Sequence, residues 1–203
     1  MKDIQRALSE IHSIRSQVAR GTQFRGYGPT SIAFSGVLAL LVAFCQVKWA
    51  SHAQHDPMAL LVWVGTAAVS VASSGVETFA RARRVHFGLA QEMLQSAVEQ
   101  FLPALVVGVL LTAVLIRVAP SDVWMLPGLW EVVFSLGVFA SCRFLPRPIF
   151  AVGVWYLAAG LCSIVAASGA KVFLPWTMGV PFGVGQLLVA AVLRLCEEKI
   201  EQT

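Results

Sequence analysis

Residues 101–118 read FLPALVVGVLLTAVLIRV, a run in which the only charge, Arg117, stands beside the far end. A helix rises about 1.5 Å per residue, and roughly 17 to 25 apolar residues cross a ~30 Å hydrocarbon core. The run shows no alternation of polar and apolar positions, which a lipid-facing barrel strand requires. Hydrocarbon offers no partner to backbone amides, so the segment must satisfy its own, and a helix does that. Reading outward, residues 31–47, 58–76, 126–145, 149–167 and 176–195 have the same character. The expected fold class is all-α: a polytopic membrane protein with a six-transmembrane helical bundle and two cytoplasmic amphipathic helices.

Composition agrees with that assignment. The chain of 203 residues is 57% apolar and 13% charged, with a mean hydropathy of +0.74, whereas soluble domains carry roughly 25% charged residues. Basic residues are retained on the cytoplasmic side during insertion. With the amino terminus inside, only Lys48, Arg117 and Lys171 of the 15 Lys and Arg fall outside. Both termini are therefore expected in the cytoplasm. Trp49, Trp63, Trp124, Trp130 and Trp176 fall near the proposed outer boundary, where indole rings favour headgroups.

The net charge of +4 does not point to nucleic acid, because the basic residues stand beside span ends, where anionic lipid attracts them. The first 30 residues contain no apolar signal-peptide core, so span one is expected to act as its own insertion signal. Cys45 and Cys162 lie inside spans and Cys142 and Cys196 at cytoplasmic ends, which favours reduced, packed thiols over disulfides. The chain contains no asparagine and more Arg than Lys. That usage suits a bacterial inner (plasma) membrane protein from a GC-rich genome.

Two polar segments carry a helical seam. Ile4, Ala7, Ile11, Ile14 and Val18 repeat at alternating intervals of three and four, as do Phe87, Ala90, Leu94, Ala97 and Phe101. Gly21, Gly26, Gly28 and Pro29 end the first seam in a hinge. The expected domains are thus residues 1–29, an amphipathic helix and hinge, and residues 30–203, a transmembrane domain with a cytoplasmic helical loop at 77–100. Each seam needs an apolar partner, because an isolated helix of about four turns is marginal in water. The seams can pack on each other or on a second copy, lie in the membrane interface, or dock a cytoplasmic protein.

Ionisable groups at mid-membrane are expensive and mark transport paths. The sequence places Glu77, Glu131, Arg117 and Arg194 close enough to span ends for each to snorkel to the interface. His12, His52, His55 and His86 all lie outside the spans, so no intramembrane haem is expected. His52, His55 and Asp56 are a weak external metal motif, outweighed by chance adjacency; no metal or cofactor is assigned. There is no G-x-S-x-G elbow, H-E-x-x-H helix or phosphate-binding loop, and no enzymatic role is expected.

Two spans carry features suited either to packing or to a ligand. Ser70, Ser73 and Ser74 share a helical face with Gly75 beyond them, and Gln186 follows Gly179, Pro181 and Gly183 in span six. Gly179 and Gly183 form a G-x-x-x-G contact face, and Pro181 frees a carbonyl from its usual donor. Ser70, Ser73, Ser74 and Gln186 are the candidate pore or ligand lining. A weak likeness between residues 70–77 and 163–171 would fit an inverted repeat.

The sequence therefore supports a non-enzymatic inner-membrane protein that assembles or signals through its cytoplasmic helices. The alternative is a channel or transporter for a neutral or lipidic small molecule. Expected partners are membrane lipid, a second copy of the chain and a cytoplasmic protein, with no nucleic acid.

Overall fold

A computed structural model describes residues 29–49, 57–84, 88–142, 145–169 and 174–201. Among these residues there are six long helices and no strand. They are α1 (Pro29–Trp49), α2 (Pro57–Arg84), α3 (Gly88–Val118), α4 (Leu126–Ser141), α5 (Ile149–Ser168) and α6 (Pro175–Glu201), with a 3-10 helix (Pro120–Met125) leading into α4. All six are long and apolar enough to cross a membrane. The apolar segments were legible in the sequence; two boundaries were not. The helix of span two runs on to Arg84, and residues 88–100 continue directly into span three. The chain between Gly88 and Val118 is thus one helix rather than a loop helix followed by a span. Likewise, the stretch before the apolar segment 126–145 is not irregular but forms a 3-10 helix over Pro120–Met125.

Successive helices pack on one another, α1 on α2, α3 on α4, α4 on α5 and α5 on α6, and α1 also packs against α6. Small residues explain the closest of these approaches. Ile32, Ser35, Gly36, Ala39 and Ala43 form the buried face of α1, spaced three and four apart. Gly179 and Gly183 of α6 meet it as the G-x-x-x-G motif implies. A side chain at Gly36 would stand 2.9 Å from the Gly183 carbonyl oxygen, and one at Gly179 would overlap the Ala43 methyl. The α4–α5 contact is of the same kind, since a side chain at Gly128 would stand 2.5 Å from the Gly160 carbonyl oxygen. In lipid, where apolar burial gives no advantage over solvation by acyl chains, such close van der Waals contact is what holds helices together.

An aromatic group joins these pairs. Phe134 of α4 lies 4.7 Å from Tyr156 of α5 and 5.4 Å from Phe182 of α6 between ring centroids, and Phe101 of α3 reaches it at 5.0 Å. Phe101, a seam residue in the sequence reading, is therefore engaged inside the bundle. By contrast, α2 buries little besides Trp63, and the membrane segment of α3 has no fully buried residue. Trp63 itself corrects an expectation: it is only 3% exposed, packed with Ala39, Ala43 and Met178 rather than set among headgroups.

Specific hydrogen bonds attach the outer helices. The Glu77 carboxylate, at the end of the apolar run of α2, accepts from Thr30 Oγ1 and the Ser31 amide, each at 2.9 Å, capping the start of α1. At the other end Trp63 Nε1 donates to Gln46 Oε1 at 2.8 Å, and Gln46 Nε2 donates to the Ala59 carbonyl at 3.1 Å. Trp130 Nε1 ties α4 to α3 through Thr112 Oγ1 at 2.7 Å.

Candidate functional site

The residues expected to line a pore do not converge. Ser70 Oγ donates to the Thr66 carbonyl at 2.8 Å and Ser73 Oγ to the Ser70 carbonyl at 2.9 Å, so both hydroxyls are used within α2. Ser70, Ser73 and Ser74 are half-buried on that outer helix. Gln186 belongs to a different place: its Cβ packs near Gly36 of α1. A groove of ≈ 270 Å³ between α3 and α4, along Pro103, Val107, Val133 and Gly137, touches none of the four. The two segments read as a repeat also differ in setting, since Ser163 and Ala167 are buried in the core while Gly75 and Val76 are exposed.

Of the seam residues, Ile4, Ile11, Ile14, Val18 and Phe87 lie outside the described residues, and Leu94 lies within α3. The external His52, His55 and Asp56 cluster also lies outside them. All four cysteines are free thiols, with Cys45 and Cys162 exposed on the helix surface rather than packed as expected.

The polar centre of the bundle is one that sequence reasoning passed over. Glu131, expected to snorkel, is 0% exposed, as are Ser135 and Tyr156. Its position follows from the glycines. A side chain at Gly160 would stand 2.7 Å from the Gly128 carbonyl oxygen and 3.0 Å from Glu131 Cβ, so the carboxylate stem is pressed against α5. One turn along α5, Ser163 Oγ lies 3.5 Å from Glu131 Oε2. The same hydroxyl lies 3.5 Å from the Thr177 carbonyl oxygen of α6.

That carbonyl has a specific reason to be there. Pro181 lies inside α6, and a proline in a helix cannot donate to the carbonyl four residues earlier. The freed acceptor is therefore that of Thr177, and it faces Ser163. Around it, Trp155 Nε1 donates to the Pro181 carbonyl at 3.0 Å, and the Tyr156 hydroxyl lies 3.5 Å from the Phe182 carbonyl oxygen. Side chains of α5 thus serve the backbone of α6 on both sides of the proline. Glu131 Oε1 and Trp124 Nε1 are buried without a hydrogen-bond partner among the described residues.

Among the described residues no group of three His, Cys, Asp or Glu side chains is gathered as a metal site. No family profile, characterised protein or solved structure matches the chain.

Proposed function

We propose that this chain is a non-enzymatic integral membrane protein that assembles or signals through helical segments on the cytoplasmic face. Both termini lie inside under this reading, and the membrane is a bacterial inner membrane. The observation that carries it is the gathering of polar segments at one end of the bundle. α2 continues as helix from Glu77 to Arg84, past its apolar span, and α3 runs as helix from Gly88 before its span begins. Glu77 holds the start of α1 against α2 at the end of its apolar run, through Thr30 and Ser31. Residues 1–28 therefore join the bundle where those helical extensions leave it. The two seams, far apart in sequence, enter at neighbouring points, which favours packing on each other or on a second copy.

The alternative is a channel for a neutral solute; the assembly reading is preferred to it because Ser70 and Ser73 donate within α2 and the α3–α4 groove does not touch Gln186. The test is native mass spectrometry of full-length protein extracted with its lipids, recording subunit number and retained proteins. Ile11→Asp with Ile14→Asp is expected to abolish a defined oligomer or a retained partner. An unchanged assembly in that variant refutes the proposal.

A further inference from the structure

From the oxygens around Glu131 we infer a monovalent cation site, of sodium size, between α4, α5 and α6. Ser163 Oγ lies within reach of two other oxygens there, the Glu131 carboxylate and the Thr177 carbonyl freed by Pro181. The separations are the first argument. Ser163 Oγ stands 3.5 Å from each of the other two oxygens, whereas hydroxyl hydrogen bonds cluster near 2.7–2.8 Å. Oxygens bound at right angles around a cation at about 2.4 Å sit ~3.4 Å apart, while the ~2.1 Å bonds of magnesium bring them to ~3.0 Å. Potassium, with longer bonds than sodium, spreads them further.

Charge is the second argument. Glu131 is 0% exposed, and its oxygen Oε1 has no hydrogen-bond partner among the described residues. The side chain that lies against its other oxygen, Ser163, is a neutral hydroxyl. A carboxyl group enclosed in a low-dielectric bundle is neutralised either by a proton or by a cation, and the inferred site is one in which sodium takes the place of the proton. One monovalent ion makes the site neutral; a divalent ion would leave it positive. The third argument is the backbone: carbonyls at an interrupted membrane helix are recurrent ligands for sodium and protons. Here the interruption, the hydroxyl and the carboxylate come from three helices, so the ion would tie α4, α5 and α6 together.

The experiment is thermal unfolding of purified full-length protein exchanged into choline chloride, then titrated with NaCl or KCl at constant ionic strength. Sodium is expected to raise Tm along a saturating curve, with potassium weaker and choline without effect. Glu131→Gln, which keeps the shape and removes the charge, is expected to abolish the sodium response. Ser163→Ala is expected to move the sodium midpoint by about tenfold or more, the scale on which metal sites respond to lost ligand contacts. Ser70→Ala, remote in α2, should leave the response unchanged. Identical Tm in all three salts, or a sodium response surviving in Glu131→Gln, overturns the inference. Should Glu131→Gln fail to fold, an unshifted midpoint in Ser163→Ala overturns it instead. Assembly through the seams is read in different variants, so the two proposals fail separately.

Discussion

The α1–α6 crossing gives the sharpest test of what holds the bundle together. In Gly179→Ala the new methyl overlaps the Ala43 methyl and stands 3.1 Å from the Ala39 carbonyl oxygen, with the Trp63 ring at 3.5 Å. Carbon atoms settle at about 3.5–4.0 Å. Neither an alanine methyl nor a backbone carbonyl can rotate away, so the two helices must separate. Overpacking of this kind costs about 1–3 kcal/mol, or roughly 2–12 °C in Tm for a chain of this size. The control is the same substitution at Gly65, where nothing lies within 4 Å; there alanine gains up to about 1 kcal/mol in helix propensity. Thermal unfolding in detergent, read by the loss of helical circular dichroism, compares the two. Adding Ala43→Gly to Gly179→Ala removes the overlapping methyl and is expected to restore much of the loss. Gly179→Ala unfolding at or above the wild-type temperature, or level with Gly65→Ala, refutes close α1–α6 packing as the main tie.

Glu77→Ala removes both acceptors that cap α1 and is expected to cost about 0.5–2 kcal/mol, seen as a lower Tm, with Glu77→Gln intermediate. Gln46→Leu strips the acceptor from Trp63 Nε1 in its buried site; the expected loss is about 1–3 kcal/mol, and Trp63→Phe in the same background should recover part of it. Ser70→Ala combined with Ser73→Ala is expected to stay within about 1 kcal/mol of wild type, near the average of ~0.6 kcal/mol for a membrane hydrogen bond. A specific loss of solute uptake in reconstituted vesicles, with stability unchanged, would instead restore those serines as a pore lining.

The six apolar helices were legible because a bilayer imposes a length and a composition that residues 101–118 display without help from any other part of the chain. The G-x-x-x-G face was legible for a similar reason, since Gly179 and Gly183 are one turn apart and need only a partner of small residues. Their partner was not, because Gly36, Ala39 and Ala43 belong to the opposite end of the sequence. Helix ends shifted where the apolar run stops but nothing breaks the helix: residues 78–84 contain neither Gly nor Pro. Glu131 was misread for two reasons. The 3-10 helix before α4 lengthens the apolar segment to Pro120–Ser141, placing Glu131 near its middle. Its enclosure then depends on Gly128 meeting Gly160, a contact between two helices that no local period encodes. The proline signal was read correctly as a freed carbonyl, but only the fold shows that Ser163 faces it.

The two kinds of attachment in the bundle bear on how an assembly or signalling role would operate. α1 with α6, and α4 with α5, meet backbone to backbone over glycines, and Phe134, Tyr156 and Phe182 join the pairs. Separating them forfeits a continuous van der Waals contact. α2, in contrast, is held to α1 chiefly at two points near the ends of its apolar run, by the Glu77 cap and the Gln46–Trp63 pair. Hydrogen bonds in membranes average only about 0.6 kcal/mol each, so tilting α2 costs less than shifting any core helix. α2 is also one of the two helices that extend beyond the membrane segment, and its cap bonds the first turn of α1, where residues 1–28 attach. A partner pulling on that segment would act first on the Glu77 cap, and so on the most weakly held helix. Under the assembly reading, Glu77→Ala should therefore uncouple the seam from α2 while leaving the α4–α5–α6 core folded. Cysteine crosslinking between α1 and α2, compared in wild type and Glu77→Ala with and without the Ile11→Asp and Ile14→Asp changes, measures that coupling. If the seam changes alter crosslinking equally with and without the cap, the signal does not pass through Glu77.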